Sequence, residues 1–239
     1  MPSERSPDKG KLERRVNRFL KTYLSPLHTL LRWLFIRWKI LTLLPVVRTQ
    51  WKNCLPLRTR NHLPILLRVL GLNGEGVEIG VLTGYFSDVL LMYSSLRCLH
   101  SVDPWREFGD TVYHDIANTA QAEHDKKYAE TRERLKKYGS RSDILRMTSA
   151  EATKKIPDAS LDFVFIDANH SYEACKEDIE LWWPKMKSGG IFAGHDYVDG
   201  EFPSGTFGVR RAVDEFAAAH GVHALAIPDN WPSWYFQKP

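Results

Sequence analysis

The chain has 239 residues, of which 43% are hydrophobic and 26% are charged. This length and apolar content fit one domain with a sizeable core, and they argue against a disordered chain or two full domains. No apolar run reaches the roughly eighteen uncharged residues that a membrane-spanning helix requires. Three cysteines without a C-x-x-C pair indicate neither a disulfide framework nor a cysteine zinc site, so a cytoplasmic location is expected.

The charge is divided unevenly along the chain. Residues 1–60 contain fourteen Lys/Arg and three Asp/Glu, a net charge of +11. Residues 61–239 contain nineteen Lys/Arg and twenty-six Asp/Glu, a net charge of −7. The split predicts a basic N-terminal arm, residues 1–60, joined to an acidic globular domain, residues 61–239.

The arm contains a stretch, residues 16–47, that is rich in Leu, Trp and Phe with basic residues interleaved. This pattern predicts one or two amphipathic helices, broken near Pro26 and ended near Pro45. Two interpretations are open: packing on the domain or on a second subunit of a homo-oligomer, and peripheral contact with a membrane surface. Nucleic-acid binding is not expected, because the basic residues alternate with bulky aliphatic ones.

From residue 76 onward, short β-rich runs alternate with helical stretches, which is typical of an α/β sheet with crossover connections. Helices are predicted near 84–96, 113–138, 149–156, 171–186 and 207–219. Strands are predicted at Gly76–Gly80, Cys98–Asp103, Asp143–Thr148, Leu161–Asp167, Gly190–His195, Val222–Ile227 and Trp234–Lys238. Only six residues separate the last two strands, so we expect them to pair antiparallel.

The first strand runs into a turn with glycines four residues apart, Gly80 and Gly84. Glycines there let a ligand approach the backbone, and the following helix offers free amide groups, although a simple tight turn is the alternative. The dinucleotide pattern G-x-G-x-x-G is not matched, because Glu78 and Leu82 stand where a further glycine is required. The sequence therefore disfavours a plain NAD site.

Ionisable residues follow three further predicted strands. Asp103 ends the second strand, where a carboxylate can accept the ribose hydroxyls of an adenosine ligand or cap the loop. Asp167 and the pair His195 and Asp196 end two strands that we expect to be neighbours. Two carboxylates and an imidazole suit Mg²⁺ or another divalent metal, and a hydrogen-bonded cluster without metal is the alternative.

Four segments of the chain resemble the class I S-adenosylmethionine-dependent methyltransferases, specifically the small branch related to macrocin O-methyltransferase and cephalosporin hydroxylase. The segments are VEIGVLTGYFS, SVDPW, LDFVFIDANHSYEACKEDIELWWPKMKSGGIFAGHDY and WPSWYFQKP. The resemblance covers about residues 61–239. It implies a Rossmann-like α/β fold with a seven-stranded sheet of order 3-2-1-4-5-7-6, its last strand antiparallel, and S-adenosyl-L-methionine as cofactor.

The resemblance also implies roles for individual residues. Those expected at the cofactor are Glu78, Gly80 and Gly84 at its methionine part, Asp103 at its ribose, and Ser149 and Ala150 beside its adenine. Metal-dependent relatives place acids at the ends of strands four and five, which here correspond to Asp167 and to His195 and Asp196. His195 departs from the acid that is usual at this place in the metal-dependent relatives similar to catechol O-methyltransferase.

The resulting hypothesis is O-methylation of a small-molecule or glycosyl hydroxyl. A divalent ion on Asp167 and Asp196, together with His195, would bind a sugar or phenolic hydroxyl, and His170 would take its proton. For His170 the alternative role is to orient the start of the next helix. We expect the acceptor pocket in the arm, in residues 104–125 and in the loop Asp199–Phe207. Alternative functions are a hydroxylase-like chemistry on the same fold, and a membrane-surface or assembly module with a vestigial fold.

Overall fold

The structure is a computed structural model that describes residues 57–109 and 117–239. Most of the predicted arm, including the helix break near Pro26 and the helix end near Pro45, lies outside these residues. The start of the helix predicted over 113–138 also lies outside them. The division at residue 60, the homo-oligomer and the membrane contact stay predictions. Among the described residues, no helix is long and apolar enough to cross a membrane.

The described residues form a seven-stranded sheet and a separate two-stranded hairpin. The strands are β1 Glu75–Ile79, β2 Cys98–Val102, β3 Ser142–Leu145, β4 Leu161–Ile166, β5 Met186–Gly194, β6 Asp199–Phe202, β7 Gly205–Gly208, β8 Leu225–Ile227 and β9 Ser233–Gln237. The sheet order is β3-β2-β1-β4-β5-β9-β8, with β1 to β5 parallel and β9 antiparallel to its neighbours. The predicted fold class, strand order and antiparallel last strand are confirmed.

The hairpin of β6 and β7 is a correction to the predicted loop Asp199–Phe207. Its two strands pair from Asp199 opposite Gly208 to Phe202 opposite Gly205, and the Thr206 hydroxyl donates to Glu201 at 2.7 Å. Each strand has only four residues and the segment has two interior glycines, so the sequence carries no clear two-residue alternation. The hairpin places Phe207 next to the edge of the main sheet where the polar residues collect.

Six α-helices are described: α1 Leu63–Leu70, α2 Tyr85–Tyr93, α3 Gln121–Leu135, α4 Ser149–Thr153, α5 Tyr172–Trp182 and α6 Val209–His220. Side chains fix the starts of two helices that follow strands. The Thr148 and Glu151 side chains form a reciprocal capping box at α4, and the Ser171 hydroxyl accepts from the Ala174 amide at α5. Both helices therefore begin at the carboxyl edge of the sheet. Helix α1 was not predicted.

The core lies on both faces of the central strands. All six residues of β4 are buried, as predicted for a parallel strand that is covered on both sides. Trp105, Trp182 and Trp234 are among the largest fully buried side chains. Because these side chains fill the interior, the polar groups of the sheet emerge where the strands end.

Candidate active site

The carboxyl ends of β1, β2, β4 and β5 open into one cavity of about 620 Å³. Parallel strands present these ends at one edge of a sheet, which is where open α/β proteins bind ligands. Most of the predicted site residues line the cavity: Glu78, Gly80, Asp103, Ser149, Asp167, His170, His195 and Asp196. The other two, Gly84 and Ala150, are adjacent in sequence to lining residues but are not part of its wall.

Gly80 lies against the backbone of the strand that carries Asp167. Its φ is +83°, and a Cβ atom at this position would lie 1.9 Å from the Asp167 carbonyl oxygen. The Gly80 amide donates to the Val102 carbonyl at 2.9 Å. A side chain is therefore excluded here on two grounds, the left-handed backbone and the contact with Asp167.

Asp103 joins the turn after β1 to the end of β2. Its Oδ2 atom accepts from the amides of Val81 and Leu82, both at 3.0 Å, and its Oδ1 accepts from the Trp105 amide at 2.7 Å. These three donors use most of the roughly four lone-pair sites of a carboxylate. The loop-capping role that the sequence left open is thus present, and a ribose role stays a prediction.

Backbone strain is concentrated at this cavity. Four described residues other than glycine have positive φ, and three of them line the cavity: Leu82 at 54°, Trp105 at 41° and Asp196 at 51°. Such conformations cost about 1 to 3 kcal/mol each and are concentrated at functional sites. The Trp105 indole N–H donates to the Leu82 carbonyl at 2.8 Å, so two of the strained residues hold each other in place.

Glu78 forms the floor of the cavity and is only 2% exposed. Burial raises its pKa to about 8, despite the hydrogen bond that it accepts from the Ser87 hydroxyl. Ser87 is also within 2.9 Å of the Ser101 hydroxyl. In the free protein, Glu78 is therefore mostly a neutral acid at pH 7.

Ser149 begins α4 and meets α5 across the cavity wall. Its hydroxyl accepts from the Trp182 indole N–H at 2.8 Å and donates to the carboxyl group of Asp178. Asp178 is buried and lines the cavity. The sequence analysis did not identify Asp178. The pattern that could have indicated it is an acidic residue on the otherwise apolar, buried face of α5, which consists of Cys175, Asp178, Ile179 and Trp182.

Two acids and two histidines meet at the ends of β4 and β5. His170 Nε2 lies 2.9 Å from Asp196 Oδ2 and 3.7 Å from Asp167 Oδ1. His195 Nδ1 lies 2.8 Å from Asp196 Oδ1 and 3.9 Å from Asp167 Oδ1. The predicted convergence of Asp167, His195 and Asp196 is thus present in the structure, and His170 joins it.

Asp196 is the electrostatic centre of this cluster. Burial by itself opposes its ionisation, but the hydrogen bonds from His170 and His195 outweigh burial and hold the pKa of Asp196 well below its usual range. Asp196 is therefore a carboxylate under all ordinary conditions.

Arg60 supplies a cation to the same cluster. Its Nη1 atom lies 2.7 Å from Asp167 Oδ2, and its guanidinium lies over the Phe86 ring at 5.1 Å. The Arg60 amide donates to Asp229 at 2.9 Å, which fixes this segment on the domain. Sequence reasoning assigned Arg60 to the arm and gave it no role.

We call Asp167, His170, His195 and Asp196 the acid–histidine cluster. Aromatic rings border this cluster on the side of the hairpin of β6 and β7. The Phe207 ring stacks on His170 with centroids 4.5 Å apart and an angle of 6° between the planes. Phe207 also contacts Phe202 and Trp231, and Trp231 is 38% exposed. Phe207 and Trp231 line the cavity and give it an apolar aromatic wall beside its charged groups.

A family model described as a methyltransferase domain matches residues 77–197, just over half of the chain. The matched residues include the carboxyl ends of β1, β2, β4 and β5, which open into the cavity. The chain belongs to this methyltransferase family. The class I methyltransferase resemblance is thereby confirmed at the level of family and fold, and the narrower branch stays a prediction.

Solved structures with the same fold include methyltransferases that share little sequence with this one. The O-methyltransferase TomG of Streptomyces achromogenes, in complex with SAM, is 18% identical, with 75% of this chain and 79% of that chain covered and a TM-score of 0.54. An O-methyltransferase of Bacillus cereus, in complex with SAH, is 15% identical, with 94% and 97% covered and a TM-score of 0.54. The SAH-bound methyltransferase PaMTH1 of Podospora anserina is 15% identical, with 100% of both chains covered and a TM-score of 0.51. No curated protein sequence matches this methyltransferase.

The acid–histidine cluster of this methyltransferase has a donor set that fits a divalent cation. Ligand atoms of Asp167, His170 and Asp196 all lie within 4.8 Å of one another. Two carboxylate oxygens and one imidazole nitrogen are acceptable ligands for Mg²⁺ or Mn²⁺. The sequence analysis proposed His195 as the third ligand. The grouping within 4.8 Å contains His170 instead, while His195 Nδ1 lies 2.8 Å from Asp196 Oδ1 and 3.9 Å from Asp167 Oδ1.

Proposed function

We propose that this methyltransferase transfers the methyl group of S-adenosylmethionine to a hydroxyl group of a small molecule. The observation that supports the proposal is the single cavity in which the glycine turn after β1 and the cluster of Asp167, His170 and Asp196 face the same space. Methyl transfer from sulfur to oxygen needs its donor and acceptor aligned within one water-poor pocket.

The donor side of the cavity is proposed to be the wall formed by Glu78, Gly80, Asp103, Ser149 and Ala150, with Gly84 starting the adjacent helix. Gly80 lines the cavity and packs against the Asp167 backbone. The partly buried carboxylate of Asp103 at the end of β2 would bind the ribose. The SAM and SAH complexes among the structural neighbours support this cofactor for the fold.

The acceptor side is proposed to be the acid–histidine cluster. Asp167 and Asp196 would hold a divalent cation with His195 as third ligand, since His195 Nδ1 lies 2.8 Å from Asp196 Oδ1 and 3.9 Å from Asp167 Oδ1. When bound, the cation would lower the pKa of the acceptor hydroxyl. His170 would take the proton, because the carboxylates of Asp196 and Asp167, 2.9 and 3.7 Å from its Nε2 atom, would stabilise the imidazolium that forms. As the methyl–oxygen bond forms, the methyl–sulfur bond breaks and its electron pair stays on sulfur.

The proposed acceptors are sugars and phenols, because the aromatic rings of Phe207 and Trp231 in the cavity wall provide an apolar surface against which a ring can pack. Small polar molecules with a ring and a free hydroxyl therefore come first in a test.

Incubation with methyl-labelled S-adenosylmethionine and a panel of sugars and phenols tests the proposal. We expect label in at least one product, and the transfer should fall at least 100-fold in Asp167→Asn and after chelation of divalent metals. Transfer that survives chelation would overturn the metal role alone. Failure of the protein to bind S-adenosylmethionine would overturn the proposed function.

A further inference from the structure

Asp178 is a buried acid in the cavity wall with no role in the chemistry described above. It lies on the inner face of α5 and is 7% exposed. A carboxyl group removed from water costs free energy unless it is neutral or well hydrogen-bonded. Among the described residues, no cation forms an ion pair with Asp178, and the charge of Glu177 raises its pKa further. Within the described residues the carboxyl group therefore has no counter-charge that would keep it ionised.

The hydrogen-bond directions around Asp178 are fixed by Trp182. An indole N–H is only a donor, so the Trp182 bond at 2.8 Å occupies Ser149 Oγ as acceptor. The Ser149 hydroxyl proton therefore points to Asp178 Oδ1. Within the described part of the chain, no group is hydrogen-bonded to the other oxygen, Oδ2. One edge of the carboxyl group is thus left for a ligand.

The protonation state supports the same conclusion. Burial raises the pKa of Asp178 to about 7, an effect that the Ser149 hydrogen bond partly offsets. A large fraction of the group is therefore neutral near pH 7. Because Oδ1 is an acceptor for Ser149, the proton belongs on Oδ2. Asp178 then presents an O–H donor and a neighbouring carbonyl acceptor side by side.

Adenine carries the complementary pair on its Watson–Crick edge. Ring atom N1 accepts a hydrogen bond, and the adjacent 6-amino group donates one. A neutral carboxyl group can make both bonds at once. Ser149 follows β3 at the edge of the sheet where nucleosides bind in open α/β folds, and Asp103 at the end of β2 lines the same cavity.

We propose that Asp178, oriented by Ser149 and Trp182, recognises the adenine base of the methyl donor through N1 and the 6-amino group. The inference rests on the proposed function, because it requires an adenosine ligand in the cavity. It makes Asp178 a specificity-determining residue and Ser149 a positioning residue that acts through it.

Calorimetric titration with S-adenosylhomocysteine and with its analogue that lacks the 6-amino group tests this assignment. We expect the wild type to bind the adenine ligand about tenfold more tightly than the analogue. Asp178→Asn should stay within about threefold for S-adenosylhomocysteine, since an amide offers the same acceptor and donor. Asp178→Leu should lose about tenfold and bind both ligands equally. Asp162→Asn, equally buried at the start of β4 and outside the cavity wall, is the matched control and should bind like the wild type.

The titrations distinguish a failure of this inference from a failure of the proposed function. A wild type that binds S-adenosylhomocysteine tightly without preferring the amino group overturns this inference alone, and that measurement needs no variant. Equal affinity of wild type and Asp178→Leu, with both folded by circular dichroism, also overturns it. A wild type that binds neither ligand overturns the proposed function itself.

Discussion

Arg60 and Asp167 form an ion pair across the mouth of the cavity, with 2.7 Å between Nη1 and Oδ2. Asp167 is also the acid on which the proposed divalent cation depends. The chain therefore supplies its own cation to a carboxylate that a metal would use. Both side chains are about one quarter exposed, so the pair is partly shielded from water.

We expect Arg60 and a divalent cation to compete for Asp167. Arg60→Gln should strengthen Mn²⁺ binding about fivefold, which corresponds to about 1 kcal/mol for a partly exposed ion pair. Titration of Mn²⁺ followed by electron paramagnetic resonance measures the change. Arg58→Gln, at an exposed position two residues away, is the control and should leave the affinity unaltered. Equal Mn²⁺ affinity in wild type and Arg60→Gln would contradict the competition.

The two histidines of the cluster are expected to have different functions. His170→Ala should lower turnover about 100-fold or more even at saturating metal, the range for loss of a general base, and should weaken Mn²⁺ binding less than His195→Ala does. His195→Ala should weaken Mn²⁺ binding about tenfold or more. The measurements are turnover at saturating metal and Mn²⁺ titration. If His170→Ala loses the metal instead, His170 is a ligand, as its grouping with Asp167 and Asp196 within 4.8 Å allows, and the proposed base is wrong.

The sequence predicted the parts of this protein that depend on short-range patterns. Apolar runs such as that of β4 marked the buried strands, and the polar residues after them, Asp167 and Asp196, were predicted to lie at one edge of the sheet. Arg60 and Asp178 were missed because their roles depend on contacts far along the chain. Arg60 contacts Asp167, which lies 107 residues away in the sequence. Asp178 is hydrogen-bonded to Ser149, which lies 29 residues away. No local pattern encodes either contact.

A comparison of Gly80 with Gly71 distinguishes the cost of a side chain on a left-handed backbone from the cost of a steric contact. Both have similar positive φ, +83° and +73°, but a Cβ atom meets the Asp167 backbone at 1.9 Å in Gly80 and nothing within 4 Å in Gly71. Gly71→Ala should lower the free energy of unfolding by about 1 kcal/mol through the left-handed conformation alone. Gly80→Ala should lower it by about 3 kcal/mol or more, because the strand must also move.

Urea denaturation of the two glycine variants measures this difference. Equal destabilisation would show that the contact with Asp167 relaxes without cost. The result also governs any binding test at Gly80, since a larger side chain there disturbs the fold before it reaches a ligand. Cofactor affinity of a Gly80 variant is informative only when the folded fraction has been measured.

Glu78 makes the stability of the free protein depend on pH. Its pKa is about 8 in the folded state because of burial, against 4.5 in the unfolded chain. Between these values the folded state binds more protons than the unfolded state, so stability falls as pH rises. The slope reaches at most about 1.4 kcal/mol per pH unit.

Glu78→Gln removes this titration and keeps the shape of the neutral acid. We expect the wild type, relative to Glu78→Gln, to lose stability progressively between about pH 5 and pH 8, as measured by urea denaturation. Glu180→Gln, on the exposed face of α5, is the matched control and should follow the wild type. A constant difference between wild type and Glu78→Gln across that range would show that Glu78 is ionised in the folded protein, and that the cavity floor carries a negative charge before any ligand binds.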